Sequence, residues 1–320
     1  MCGGHRVPFD RRAFLRGVAA TAAGVSAMGV FGGAASSAFA AESGRSPGRH
    51  LPNSKIGLQL YSVRDAFMTQ TEACLRALAK AGYRNVEMAG FPGGTTPARA
   101  QAIRPLLDKY GLTAVSSHHG YNEFTNEKRV GELIEMAQIL GQKYIVCPGG
   151  VPGTPEGFTQ AGAVFNRAGE RIRAAGMKLG YHNHTEEFLR RGSDGRTLYQ
   201  ILLDSSDPHL LYLELDMGWS SAAGLSAQDN IDLMAANKGR ILLSHVKDLH
   251  PDGSLADLGT GIVDYATILG AAIRLGMREF IIENDDQSNP LTDSRADRMH
   301  DYLAALELKH SHRAPHRGED

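Results

Sequence analysis

Imidazoles and carboxylates recur in this chain in short strings, each at the end of an apolar run. The strings are Ser117-His118-His119, His182-Asn183-His184 with Glu186-Glu187, Glu214-Leu215-Asp216, His245-Val246-Lys247-Asp248 and Glu283-Asn284-Asp285. Taken singly, each acid reads as a helix cap or the partner of a nearby lysine, and each histidine as a satisfied wall residue. Taken together, Asp216, His245 and Glu283 with a carboxylate from the string at 182–187 make a set whose negative charge calls for a cation. Mixed oxygen and imidazole donors suit one divalent metal ion such as Mn2+, Mg2+ or Zn2+.

Such a set needs a scaffold that brings distant strings to one place. From Lys55 onward, apolar runs alternate with stretches of helical spacing near 3.6. The pattern predicts strands at Ile56–Tyr61, Asn85–Met88, Leu112–Ser117, Tyr144–Cys147, Lys178–His182, Leu211–Leu215, Ile241–Val246 and Phe280–Ile282. Between them Ala73–Ala81, Val130–Leu140, Phe158–Ala175 and Tyr265–Leu275 read as helices, several closed by a glycine (Gly82, Gly111, Gly141, Gly176, Gly276) before the next strand. Eight strand–helix units at this spacing predict a (β/α)8 TIM barrel, whose reactive groups gather at the C-terminal ends of the strands. A doubly wound sheet fits less well, since no Gly-rich phosphate fingerprint follows the first strand.

The strings Gly57-Leu58-Gln59-Leu60-Tyr61-Ser62-Val63-Arg64-Asp65, Tyr181-His182-Asn183-His184, Leu213-Glu214-Leu215-Asp216, His245-Val246-Lys247-Asp248 and Ile281-Ile282-Glu283 together resemble the sugar phosphate isomerase/epimerase-like family. This is the xylose isomerase-like barrel group that also includes endonuclease IV-type proteins, and the resemblance runs from Ile56 to Leu306. It implies one divalent ion held by Glu, Asp, His and Glu, with Asp216, His245 and Glu283 at the last three positions. The first position departs from the ketose-epimerase pattern: Gly180-Tyr181-His182-Asn183 contains no carboxylate. Glu187 is the favoured replacement, with Glu186 and His182 as alternatives.

The chemistry this implies is proton transfer beside the carbonyl of a sugar or keto-sugar through an ene-diolate, which a chelating divalent ion stabilises. Glu283 or Glu187 would take the proton, and Glu187, His182 or His184 would return it or protonate a leaving group. Lys247 and His118 are candidates to bind hydroxyls or an oxyanion, Trp219 to stack on a sugar face, and Gln59 and Tyr61 to line the substrate site. Return of the proton to the opposite face gives an epimerase, and return to the adjacent carbon an isomerase. Loss of a β-substituent gives a lyase or hydrolase of 3-keto-glycosides, and a sugar-binding barrel without turnover is a further alternative. The turn Gly259-Thr260-Gly261 could offer amides to an anion, but a plain turn before a helix capped by Asp264 is the simpler reading.

Composition excludes several classes. Lys and Arg (34) nearly cancel Asp and Glu (35), so no basic field draws nucleic acid. Cys2, Cys74 and Cys147 form neither a CxxC site nor a disulfide scaffold. The string Asp10-Arg11-Arg12-Ala13-Phe14-Leu15-Arg16, the Ala/Gly-rich run to Ala40 and the Ala38-Phe39-Ala40 pattern resemble a twin-arginine export signal. Residues 1–40 are therefore expected to be removed, leaving a chain of net charge −4, exported and without a membrane anchor. Residues 41–54 read as a flexible linker, 55–308 as the barrel, and 309–320, with His310, His312 and His316, as a solvated tail.

Overall fold

The computed structural model describes residues 50–309. Eight parallel strands form the expected TIM barrel: β1 (Ile56–Gln59), β2 (Asn85–Met88), β3 (Thr113–Ser117), β4 (Tyr144–Cys147), β5 (Lys178–His182), β6 (Leu211–Asp216), β7 (Ile241–Val246) and β8 (Glu279–Ile282). They lie side by side in the order β3-β2-β1-β8-β7-β6-β5-β4. A parallel bridge between His118 and Val146 closes the ring, with the His119 amide donating to the Val146 carbonyl at 2.9 Å and the Lys143 amide to the Val115 carbonyl at 3.1 Å. The strand boundaries match the apolar runs to within two residues. The one at β1 falls early because Gln59 caps a 3-10 turn over Leu60–Val63.

The helices form because apolar residues return every three or four positions and because their ends are signalled. Glu127–Leu140 buries Val130, Leu133, Met136, Ala137 and Leu140 against the strands. Asn126 caps its start, and Gly141 closes it at φ 71°, a left-handed conformation that glycine adopts without a Cβ penalty. Thr154 with Pro155 and Thr96 with Pro97 start two further helices in the same way. A small hairpin, Asp248–Leu249 with Leu255–Ala256, follows β7 and was not legible in the apolar pattern.

Strand alternation stacks the barrel interior in layers. Along β8 it directs Glu279, Ile281 and Glu283 inward in turn, along β5 Lys178, Gly180 and His182, and along β7 Leu243, His245 and Lys247. The middle layer is an apolar plug built on Val115, Val146, Leu243 and Ile281. Gly180 belongs to it because a Cβ there would lie 3.1 Å from Val146 Cγ2. Polar residues therefore occupy the two open ends, one at each mouth.

The packed unit reaches beyond 55–308. Leu51, placed in the linker by composition, is buried, and the Lys309 amide donates to Ala266 O at 2.8 Å. The stretch read as an export signal, most of the expected linker and the tail from His310 to Asp320 lie outside the described residues. No helix among the described residues is long and apolar enough to cross a membrane.

Candidate active site and metal centre

The C-terminal mouth holds a cavity of about 630 Å3 lined by Tyr61, His118, Glu123, His182, His184, Glu283 and Asp285, among others. Beneath its floor, four consecutive strands β5–β8 deliver His182, Asp216, His245 and Glu283, each able to place one ligand atom within 4.8 Å of the other three. His182 Nε2 and His245 Nδ1 each stand 3.9 Å from Asp216 Oδ2, and His245 Nδ1 is 2.8 Å from Glu283 Oε2. Asp216 Oδ1 accepts from the Trp219 amide at 2.8 Å as a helix cap, which leaves Oδ2 buried with no hydrogen-bond partner among the described residues.

The far nitrogen of His245 is backed by a carboxylate, and that of His182 lies close to one. His245 Nε2 donates to Glu87 Oε1 at 2.7 Å, and His182 Nδ1 lies 3.2 Å from Glu214 Oε2, at an angle too poor for a hydrogen bond. Carboxylate support of that kind fixes ring orientation and raises the basicity of a ligating nitrogen. Burial, reinforced by the positive charge of His245 and other neighbours, pushes His182 well below the usual histidine range, so it is neutral with a lone pair free. An orphaned carboxylate oxygen, a neutral imidazole and the backed far nitrogen of His245 fit a divalent ion. His182 and Glu283 line the cavity while Asp216 and His245 lie under it, so the open coordination side would face substrate.

The chain also supplies its own cations. Lys247, 1% exposed, places Nζ 2.9 Å from Glu283 Oε2, 3.5 Å from Asp216 Oδ2 and 3.0 Å from Asp285, and 4.4 Å from the Trp219 ring centre. Burial opposes ionisation of Glu283, but Lys247 and His245 outweigh it and hold the carboxyl below its ordinary range. A second cluster stands behind the first. His118 Nε2 bonds Glu214 Oε2 at 2.8 Å and lies 2.9 Å from Glu87 Oε1. Burial works against the charge on His118, but Glu87 and Glu214 overcome it and raise its pKa to about 9. Burial and the neighbouring charge of Glu87 lift Glu214 to about 7. The negative charge that argued for a metal is thus offset in part by Lys247 and by protons on histidine.

The remaining candidates divide. Glu187 is a correction: its Oε1 accepts from the Tyr181 hydroxyl at 2.7 Å and its Oε2 from the His184 amide at 2.9 Å, outside both clusters. The helical turn Glu186–Leu189 carries Glu186 and Glu187 into a side cavity of about 340 Å3, and His182 stands at the strand-five position instead. Gln59 is fully buried and donates to Glu87 Oε1 at 2.7 Å, so it props an acid and does not line the cavity. Trp219 has one ring face taken by Lys247 and is not part of the main cavity wall. Tyr61, His118 and His184 do line it. The amides of Gly259 and Gly261 are spent on Asp248 Oδ2, both at 3.0 Å, and Asp264 caps the following helix, as the simpler reading required. Glu87 and Glu214 were legible only as strand-end acids. Their role needed strand parity, since Glu214 shares the inward face with Asp216 two residues on.

Comparison with known proteins follows the same lines. A family model described as xylose isomerase-like TIM barrel matches residues 75–314. None of the curated proteins compared matches the chain. Among solved structures, a sugar phosphate isomerase/epimerase from Parabacteroides distasonis is 23% identical, with 81% of this chain and 96% of that one covered at a TM-score of 0.68. A D-tagatose 3-epimerase-like protein is 18% identical (78% and 95% covered, TM-score 0.56). The IOLI protein, crystallised with a zinc atom, is 16% identical (78% and 96% covered, TM-score 0.56). At these identities the likeness is one of fold.

Proposed function

Because the chain belongs to the xylose isomerase-like TIM barrel family, we propose that it is an exported, divalent-metal-dependent isomerase or epimerase that moves a proton beside the carbonyl of a small sugar. The observation that carries this is the convergence of His182, Asp216, His245 and Glu283 from four consecutive strands beneath one open cavity. An ion held there would supply polarisation of the substrate carbonyl and compensation of ene-diolate charge.

The protein's own groups divide the proton work. His184 lines the cavity, and burial lowers its pKa, so at neutral pH it is an uncharged imidazole able to accept a proton. His118 lines the same cavity in its charged form, with Nε2 committed to Glu214 and Glu87 and Nδ1–H left as the donor to a substrate oxygen. Two imidazoles whose environments drive their pKa values apart make an acid–base pair. Glu283, held below the ordinary carboxylate range, is suited to ligation and not to proton abstraction. Tyr61, 44% exposed at the rim, offers a ring face to a sugar.

The test is solvent exchange. Metal-loaded protein incubated with ketoses in D2O should place deuterium on the carbon beside the carbonyl. Labelling should stop on chelation and in His184→Ala. Ligand binding without labelling across such a panel would establish a sugar-binding barrel without turnover instead.

A second reading rests on cavity size. His184 also lines the 340 Å3 side cavity with Val151, Phe158, Leu198 and Arg190, so the site has room for more than one sugar ring. Proton removal from a 3-keto-glycoside followed by loss of its β-substituent would use that space. Release of the free aglycone distinguishes it from epimerisation.

A further inference from the structure

The opposite, N-terminal mouth of the barrel is lined by Lys55, Lys143, Lys178 and Arg278 around a cavity of about 570 Å3. We propose that this mouth binds a small, multiply charged oxyanion, a free phosphate or a phosphate-bearing molecule, on those four cations.

They come from four separate segments, just before or at the start of β1, β4, β5 and β8, so the barrel's closure is what assembles them. The strand parity that aims His182 into the catalytic mouth aims Lys178, four residues earlier, into this one. The apolar plug of Val115, Val146, Leu243 and Ile281 separates the two. None of the four side chains makes an ion pair or a hydrogen bond to a described residue. Lys178 Nζ instead rests 4.7 Å from the centre of the Tyr212 ring. Some exposed cations elsewhere do find acids: Arg104 pairs with Asp108, Lys109 with Glu72, and Arg298 with Asp257.

The floor points the same way. Tyr144, 3% exposed, lines the cavity, and its hydroxyl has no hydrogen-bond partner among the described residues, which leaves a donor for an oxyanion. The sole acid in the lining, Glu279, is itself buried, and burial raises its pKa against the pull of Lys143, Lys55 and Arg278. One carboxylate thus faces four positive charges. The field is also polarised along the barrel axis, since Glu87, Glu214, Asp216, Glu283 and Asp285 crowd the other mouth. In a chain of near-neutral net charge, an unneutralised concave cluster of this kind concentrates anions.

The experiment titrates the full chain at low ionic strength with inorganic phosphate, pyrophosphate and glucose 6-phosphate, by calorimetry and by thermal shift. One saturable equivalent is expected, weakened about tenfold or more in Lys143→Ala/Lys178→Ala, with metal content unchanged. The single exposed variant Lys143→Glu serves if the double variant unfolds. Tighter binding of the ester identifies a phosphorylated molecule as the ligand, and equal binding identifies the free oxyanion; either supports the site. Absence of saturable binding, affinity unaltered by the variants, or equal displacement by sodium chloride at matched ionic strength overturns it.

Discussion

Replacing Glu87 by Gln isolates the support behind His245 with almost no change of shape. Glu87 is wholly buried and acts only as an acceptor. Its Oε1 receives Gln59 Nε2 at 2.7 Å and His245 Nε2 at 2.7 Å, with His118 Nε2 at 2.9 Å, while its Oε2 receives Ser116 Oγ at 2.5 Å. In the amide, the carbonyl oxygen still accepts on the histidine side, and the Ser116 hydroxyl can turn to accept from the new NH2 group. What is lost is the charge. Without it His245 is a weaker donor to a cation at Nδ1, and His118 loses a principal cause of its raised pKa. Removing a carboxylate from the far side of a ligating histidine costs 10–100-fold in metal affinity, or about 1.4–2.7 kcal/mol. Calorimetric titration of the apo protein with Mn2+ or Zn2+ should show that weakening with the one-to-one stoichiometry retained, and circular dichroism should show an intact fold. A dissociation constant within about twofold of the parent, below the tenfold lower bound for such a change, would mean that His245 does not meet an ion through Nδ1.

Three further outcomes are expected. His182→Ala should abolish stoichiometric metal binding while Glu187→Gln preserves it. The second variant should still lose about 1 kcal/mol of stability, because the Tyr181 hydroxyl must turn to accept from the new NH2 group and its own proton gives up a carboxylate acceptor; the reverse metal result would restore Glu187 as the strand-five ligand. Burial raises the Glu123 carboxyl, but nearby His119, 3.7 Å away, and the bond from Arg129 outweigh it and bring its pKa to about 2 from 4.5. A depressed acid stabilises the fold above 4.5 and loses that contribution as pH falls through about 2. Glu123→Gln should therefore flatten the urea midpoint across that window, and an unchanged slope would refute the role of the pair with Arg129. Arg11→Lys/Arg12→Lys should block export, and the exported parent should begin at Ala41 by intact mass; an uncleaved exported chain would contradict the signal reading.

How far the sequence could be read depended on whether a feature was set by local pattern or by closure of the barrel. The strands were legible because each is a short apolar run between turn residues, and the helix ends because Gly141 and its counterparts must adopt positive φ. Asp216, His245 and Glu283 were legible because a polar side chain at a buried strand end needs a reason. Strand five misled because the expectation sought a carboxylate, and the nearest one, Glu187, lies on the next helical turn facing Tyr181. Geometry groups His182, and not Glu187, with the carboxylate of Asp216, because His182 is the inward-facing residue at the end of β5. Gln59 looked like a substrate contact because an exposed and a buried amide read alike in sequence. Lys247 was read as a substrate group, whereas its burial makes it the counter-ion of Glu283 and Asp216.

One rule of alternation produces both polar ends of the molecule. Within a barrel strand, residues two apart share the inward face and residues four apart reach opposite mouths. Lys178 and His182 on β5, and Glu279 and Glu283 on β8, are therefore pairs whose members serve different ends while sharing a plug residue between them. On β5 that residue is Gly180, where even a methyl group would lie 3.1 Å from Val146 Cγ2. Gly180→Ala must displace Val146 or the strand, and a shift of β5 moves His182 and Lys178 together. Metal affinity at one mouth and oxyanion affinity at the other should then fall in the same variant, although no side chain at either site has changed. Loss at only one mouth would show that the two ends are not tied through the strand, and that local packing above or below the plug sets each site on its own.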